Sequence, residues 1–267
     1  MLAFRFSVQT DIRRGAVLAR RYLAPFEIDE PPPSNTYALV RGSANDFLLT
    51  LNGRTRAGPT SLAGLLDRLL WEINNQAIRR NRRYLLVHAA VASWKGLGLL
   101  FPATSGSGKS TLIAALTRAG FDYLSDEAGV IDVRTAELHP YSKVISLEPD
   151  SMELMPELKH TLPPEYRWPS RLQYHLSPND LRSRAVGRPC RVGFVIAAGY
   201  ERGATTRLEP ISRATALYAL AENSFNLARF KGRGLTLLGR VVEDARCYRL
   251  RVGDLGSAVE AVQNLVQ

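Results

Sequence analysis

The sequence predicts an α/β protein with a small β-rich unit at its N-terminal end. Two observations support this prediction. An apolar run at residues 97–101 leads through a glycine- and serine-rich loop into a helix-forming segment at 111–119, which is the strand, loop and helix order of an α/β unit. Nearer the N-terminus, short runs at 36–41 and 47–51 are separated by turn residues, which is typical of antiparallel strands.

The pattern along the chain predicts three regions: 1–58, 59–83 and 84–267. The first is predicted to be a small antiparallel sheet, because Asn52-Gly53 is a strong two-residue hairpin turn. No residue in it suggests chemistry. The second is predicted to be a connecting helix capped by Thr60 or Ser61, since its apolar residues recur every three or four positions. The third is the main domain.

The composition limits the classes of protein to which the chain can belong. The chain has 267 residues, of which 45% are hydrophobic and 22% charged, as in a globular protein. The longest apolar run is too short to cross a bilayer and the N-terminus has no signal-peptide core, so no membrane contact and a cytoplasmic location are expected. Cys190 and Cys247 lack metal-ligand spacing and are predicted to be reduced structural thiols.

The net charge of +10 is concentrated in the flanks of the chain. Residues 1–83 carry 13 lysines and arginines against 7 carboxylates, and 151–267 carry 17 against 11, whereas 84–150 carry 5 against 7. Basic flanks attract acidic substrates or nucleic acid, but cations at the end of a solvated helix give the same pattern. The solvated helix is the favoured interpretation, and nucleic acid is not the expected partner.

The loop after the apolar run, Ala103-Thr-Ser-Gly-Ser-Gly-Lys-Ser110, has the pattern of a phosphate loop (Walker A), with Ala103 in place of the first glycine. Gly106 and Gly108 allow successive backbone N–H groups to point inward, and the following helix adds partial positive charge. Lys109 is expected to reach the outer phosphates of a nucleotide, and Ser110 to join a Mg²⁺ shell. The expected binding residues are Thr104, Ser105, Gly106, Ser107, Gly108, Lys109, Ser110 and Thr111.

Asp126 and Glu127 follow the loop after one short helix and one short strand. A helix of about ten residues spans roughly 15 Å, and five residues of strand cover a similar length. A right-handed return would therefore bring both carboxylates back to the phosphate-binding end of the sheet. One carboxylate could hold Mg²⁺ and the other could accept a proton, although an isolated Asp-Glu pair is more often a solvated turn.

Other features leave alternatives open. His88, in the apolar strand 84–94, is either a hydrogen-bonded core residue or a functional one, and Lys143 either meets a phosphate or lies on the surface. Residues 149–178 contain six prolines, with Trp168 and Tyr174, and are irregular enough for a lid or a surface wrap. Further on, a buried strand is predicted at 191–198, and helix starts are predicted at Ser212 and at the capping box Ser257-Ala-Val-Glu260.

With these residues in place, the chain resembles the HPr serine kinase family, and more closely its shorter HPr-kinase-related members. The resemblance lies in His88 on a strand, the Ser105-Gly-Ser-Gly-Lys-Ser110 loop and Ser125-Asp126-Glu127, and it extends from about Leu85 to the end. It implies a phosphate-loop fold of the HPr kinase and PEP carboxykinase type. It also implies that ATP and Mg²⁺ are required, with Asp126 as the base and His88 assisting near the phosphates.

The family's bifunctional enzymes carry two aspartates where this chain has Asp126-Glu127, so neither the reverse phosphorolysis nor HPr as substrate is implied. Some shorter relatives phosphorylate a C-terminal serine of a lasso peptide, which makes a small ribosomal peptide an acceptor to consider. The sequence hypothesis is a serine kinase with Asp126, His88 and Lys109 as catalytic residues and with Ser110, Asp126 and Glu127 at the metal. An ATP-binding regulatory module is the alternative, nucleic-acid binding ranks below it, and a homo-oligomer stays open.

Overall fold

The computed structural model describes residues 2, 4–31, 33–43, 46–161 and 173–267, which form a mixed α/β structure with three sheets. In chain order the elements are β1 (Ser7–Thr10), α1 (Arg13–Leu23), β2 (Thr36–Arg41), β3 (Phe47–Leu51), β4 (Arg54–Thr60), α2 (Leu62–Arg80), β5 (Tyr84–Trp94), β6 (Leu97–Pro102), α3 (Lys109–Arg118), β7 (Asp122–Ser125), β8 (Ala128–Asp132), β9 (Leu138–His139), β10 (Ile145–Leu147), α4 (Pro149–Glu153), α5 (Pro156–Thr161), β11 (Tyr174–Leu176), α6 (Pro178–Leu181), β12 (Arg191–Tyr200), β13 (Arg207–Pro210), α7 (Arg213–Glu222), α8 (Leu227–Phe230), α9 (Gly232–Asp244), β14 (Arg246–Val252) and α10 (Leu255–Val266).

The largest sheet has the strand order β13-β14-β12-β6-β5-β8-β9, with β7 also paired to β5. Helices α3 and α10 pack on one face of it, and α7 and α9 pack on the other. Each helix buries an apolar stripe against the sheet, which is the usual way for a two-sided sheet to exclude water. The predicted buried strand at 191–198 is confirmed as β12, which pairs with β6 on one side and β14 on the other.

Strand β5 organises the part of the sheet that concerns function. It pairs antiparallel with β6 over residues 89–94, and antiparallel with β7 and then β8 along its other edge. Strands β6 and β7 therefore run in the same direction on either side of β5. The residues that follow each of them, a glycine loop after β6 and Asp126-Glu127 after β7, consequently emerge at the same level of the sheet.

The N-terminal region is a four-stranded sheet with α1 and α2 packed around a core of its own. The expectation of a purely antiparallel sheet is wrong, because β1 pairs parallel with β2 and α1 connects the two strands. The buried residues Leu18, Ala19 and Tyr22 of α1 recur at helical spacing, a signal that the short-strand interpretation overlooked. The boundaries at 58 and 83 stay predictions.

Helix caps are partly as the sequence predicts. Ser61 caps α2 by accepting from the Gly64 N–H, and Ser212 caps α7 in the same way. The predicted cap at Ser257 is wrong: α10 is capped three residues earlier by Asp254, whose carboxylate accepts from the Ser257 N–H at 2.8 Å. A carboxylate at this position also complements the positive end of the helix dipole.

The segment 149–178 is more regular than expected where the structure describes it. It contains α4, α5, β11 and the start of α6, and β11 pairs with β10 to form the third sheet. The part that includes Pro163, Pro164, Trp168 and Pro169 lies outside the described residues.

Both cysteines are buried free thiols, as predicted, and burial raises the pKa of Cys190 to about 11. None of the described helices is long and apolar enough to cross a membrane.

Candidate active site

The glycine loop between β6 and α3 has the backbone that its sequence predicts. Gly106 and Gly108 have φ angles of +76° and +84°, in the left-handed region where side chains cause strain. A Cβ at Gly106 would meet nothing within 4 Å, and at Gly108 it would meet Tyr200 at 3.6 Å, so conformation rather than space favours glycine. No side chain caps the N-terminus of α3, so its first N–H groups and the helix dipole remain available to an anion.

Lys109 lies under this loop. Its ammonium donates to the carbonyl oxygens of Ala103 at 2.9 Å and Thr104 at 2.6 Å. Burial lowers the pKa of Lys109, and the charges of Glu127 and Asp126 oppose that shift. The ammonium thus links the end of the loop to its start, and neither of these two acceptors is a carboxylate.

The carboxylate of Asp126 accepts hydrogen bonds from several parts of the site. Its side chain is 2% exposed and accepts hydrogen bonds from Ser110 Oγ at 3.3 Å, from the Tyr123 hydroxyl at 2.9 Å and from the Ser146 N–H at 3.4 Å. Burial raises the pKa of Tyr123 well above its usual value, so this hydroxyl keeps the proton that it donates. The loop, β7 and β10 are therefore joined through one carboxylate.

Lys143 completes the arrangement and does not lie on the surface, which was one of the two positions that the sequence leaves open. Its ammonium lies 2.9 Å from Asp126 Oδ1 and 3.7 Å from Glu127 Oε2, and its side chain is only 13% exposed. Burial alone would lower the pKa of Lys143, but the charges of Asp126 and Glu127 outweigh it and raise the pKa. Lys143 is thus a permanent cation between two carboxylates rather than a surface side chain.

This donor set fits Mg²⁺. Two carboxylates and the Ser110 hydroxyl offer only oxygen, and a buried cation between the carboxylates shows that positive charge is stabilised there. Mg²⁺ usually takes one or two protein carboxylates and completes its shell with water and substrate phosphates. In the described part of the chain, no group of three or more His, Cys, Asp or Glu could form an all-protein metal site.

The sheet register places His88 between the glycine loop and the acidic pair. His88 is paired with Ala128 on β8, and its carbonyl accepts from the Ala103 N–H at 3.4 Å. Its ring packs against Phe225 with centroids 5.3 Å apart. Burial and the charge of Lys109 lower the pKa of His88 to about 4, with Asp126 opposing. At neutral pH the ring is therefore uncharged.

A cleft of about 990 Å³ opens over these residues. Seven of the eight predicted binding residues line it, and the exception is Thr104, whose carbonyl turns to Lys109. His88, Lys143, Asp126 and Glu127 also line the cleft. Sequence reasoning missed its far end, where β12, the turn after it, β14 and α10 contribute Ala198, Tyr200, Arg202, Val252 and Leu255.

The N-terminal region forms the opposite wall of the cleft. Tyr22, Leu23 and Phe26 contribute from α1 and the turn after it, and Leu70 and Trp71 contribute from α2. The sequence suggests no chemistry in residues 1–58, but Tyr22, Leu23 and Phe26 of that region line the cleft. No local pattern could have shown this, because these residues come near the loop only through the packing of the two regions.

Comparisons with known proteins add little to this geometry. No protein-family model matches the sequence, and no curated protein matches it. Among solved structures, the chain is similar to the Hpr(Ser) kinase/phosphatase from Coxiella burnetii at 12% identity and a TM-score of 0.35, over 68% of this chain and 90% of that chain. A likeness at this level establishes neither a shared fold nor a shared activity.

The lowered pKa of His88 predicts a pH dependence of stability. Between about pH 6.5 and pH 4 the unfolded chain binds a proton at His88 that the folded chain does not. The free energy of unfolding therefore decreases as the pH is lowered through this window, and the decrease levels off below about pH 4. His88→Gln should remove roughly 1 to 2 kcal/mol of the stability difference between pH 7 and pH 5, measured by urea unfolding. His139→Gln is the control, and an equal change in both variants would contradict the prediction.

Proposed function

We propose that this chain is an ATP- and Mg²⁺-dependent kinase that transfers a phosphoryl group to a serine hydroxyl of a protein or peptide. The observation that carries the proposal is the contact of 3.3 Å between Ser110, at the end of the glycine loop, and the buried carboxylate Asp126. A loop suited to phosphates and a carboxylate suited to a metal or a proton thus share one cleft.

The nucleotide is the phosphoryl donor in this proposal. Residues 105–111 bind its phosphates through backbone N–H groups and the N-terminus of α3, and Lys109 leaves its two carbonyl acceptors to meet the outer phosphates. Ser110, Asp126 and Glu127 hold Mg²⁺, which when bound neutralises charge on the phosphates. Lys143 adds a second fixed positive charge beside the carboxylates.

In this proposal the acceptor binds against the wall of the cleft that the N-terminal region forms. A cleft of about 990 Å³ is at the upper end of the range for ligand sites, so a triphosphate leaves room for part of a second molecule. Asp126 orients the acceptor hydroxyl and takes its proton. His88, uncharged at neutral pH, offers a hydrogen bond near the phosphates without adding charge. A serine near the end of a small ribosomal peptide, as in a lasso-peptide precursor, is an acceptor of suitable size.

Replacing the proposed base tests the assignment. Asp126→Asn removes the proton acceptor but keeps the shape, so phosphoryl transfer should fall about 10²- to 10⁴-fold while ATP binding persists. Transfer is measured as mass gained by candidate acceptor peptides with ATP and Mg²⁺, and binding is measured by calorimetry. Asp122→Asn is the matched control, since Asp122 begins β7, the strand that leads to Asp126, and pairs with Arg182 away from the cleft.

Retained transfer in Asp126→Asn would refute Asp126 as base. If ATP binds to the unaltered chain and no acceptor gains mass, the chain is instead a nucleotide-binding regulatory module, which needs the loop but no base. The conversion of ATP alone does not decide between the two, so the acceptor mass is the deciding measurement.

The pairing of Lys143 predicts a metal-dependent stability. Lys143→Met leaves Asp126 and Glu127 without a cation and should cost about 3 kcal/mol of unfolding free energy. Because Mg²⁺ binds the folded state, millimolar MgCl₂ should restore part of that loss and should stabilise the variant more than the unaltered chain. Urea unfolding at constant ionic strength measures both effects. Lys95→Met, on a turn away from the cleft, is the control, and an equal Mg²⁺ effect in all three proteins would contradict the prediction.

A further inference from the structure

A second hydrogen-bonded group of side chains lies beside Asp126 and has no role in the proposed transfer. Ser146 on β10 and His175 on β11 are paired in the antiparallel register, and Ser146 Oγ is 3.1 Å from His175 Nδ1. The other ring nitrogen, Nε2, is 2.5 Å from Asp67 Oδ1 on α2. Residues from three distant parts of the sequence therefore form one chain of hydrogen bonds.

The order of donors along this chain depends on the tautomer of His175, which the Asp67 carboxylate selects. The Asp67 carboxylate can only accept, so the shared proton belongs to His175 Nε2. In the neutral ring Nδ1 is then without a proton and accepts from the Ser146 hydroxyl. A hydroxyl, a base that receives its proton and a carboxylate that orients the base are the three parts of an activated serine nucleophile.

The position of Ser146 connects this group to the phosphate site. Its backbone N–H donates to Asp126 Oδ2 at 3.4 Å, and Ser146, His175 and Asp67 all line the cleft that contains the glycine loop. The His175 side chain is only 6% exposed, while Ser146 is partly exposed. The pairing of neighbouring strands is enough to explain the hydrogen bond between Ser146 and His175. A structural link between α2 and β11 is enough to explain the hydrogen bond between His175 and Asp67. Neither accounts for a partly exposed hydroxyl in the cleft that contains the glycine loop.

We propose that Ser146 is a phosphoryl acceptor within the chain itself, activated by His175 and Asp67. This proposal rests on the nucleotide binding of the proposed function but not on any external acceptor. Ser146 Oγ forms a bond to the γ-phosphorus of ATP, the bond from that phosphorus to the β,γ-bridging oxygen breaks, and ADP leaves. The hydroxyl proton moves to His175 Nδ1, and Asp67 stabilises the resulting imidazolium.

The first experiment maps phosphate on the purified full-length chain after incubation with ATP and Mg²⁺. Tandem mass spectrometry of its peptides should find one phosphate, at Ser146. Incorporation should be lost in Ser146→Ala and reduced about 10²-fold or more in His175→Asn, which keeps a polar group at the ring position but no base. Ser151→Ala is the matched control, because Ser151 lines the same cleft and its hydroxyl bonds to Thr111 rather than to a base. Its incorporation should equal that of the unaltered chain.

The second experiment needs neither nucleotide nor metal. Diisopropyl fluorophosphate presents an electrophilic phosphorus with fluoride as leaving group, so an activated Ser146 should become labelled, and His175→Asn should lose the label. Binding of a fluorescent ATP analogue is measured on the same samples. Because site mapping on the unaltered chain requires no substitution, a variant that fails to fold leaves the result intact.

The outcomes separate the two proposals. Phosphate at Ser146 together with labelling by the fluorophosphate supports Ser146 as acceptor. Bound nucleotide with no phosphate at Ser146 overturns this inference and leaves the proposed function standing. No bound nucleotide overturns both, and phosphate at other serines alone overturns the assignment of Ser146.

Discussion

The buried ion pair between Lys143 and Asp126 is the interaction on which the site depends. A carboxylate with a 2% exposed side chain is costly unless cations and hydrogen bonds compensate it, and here the ammonium lies 2.9 Å away with Glu127 as a second partner. The Tyr123 hydroxyl, Ser110 and the Ser146 N–H supply the remaining hydrogen bonds. These groups come from the loop, β7 and β10, so one charge fixes the relative position of three elements.

The scaffold makes this convergence possible through strand direction and register. Strands β6 and β7 run the same way on either side of β5, so the loop and the acidic pair emerge together, and His88 on β5 lies between them. The helices on both faces bury the sheet, while the N-terminal region supplies the outer wall of the cleft. The strands thus position the polar groups, and the N-terminal region gives the cleft its depth.

Local patterns explain which parts of this arrangement the sequence predicts. The glycine loop, the return of Asp126 to it and the caps at Ser61 and Ser212 follow from short-range rules of backbone geometry and capping. Lys143 lies 17 residues from Asp126 and pairs with it only because the segment before β10 folds back beside β7, where the Tyr141 N–H donates to the Leu124 carbonyl. His175 meets Asp67 across 108 residues. Such contacts leave no local signature, and α1 was missed because its helical spacing lay in a region interpreted as strands.

A crystal structure of the chain with Mg²⁺ and a non-hydrolysable ATP analogue tests the central claim most directly, namely that the loop and the carboxylates form one phosphate and metal site. The account predicts phosphates against residues 105–111 and a metal about 2.0–2.1 Å from Ser110 Oγ and a carboxylate oxygen of Asp126 or Glu127. It also predicts that Lys109 leaves the carbonyl oxygens of Ala103 and Thr104 and meets the outer phosphates. Phosphates bound elsewhere, or a metal that touches neither carboxylate, would contradict it.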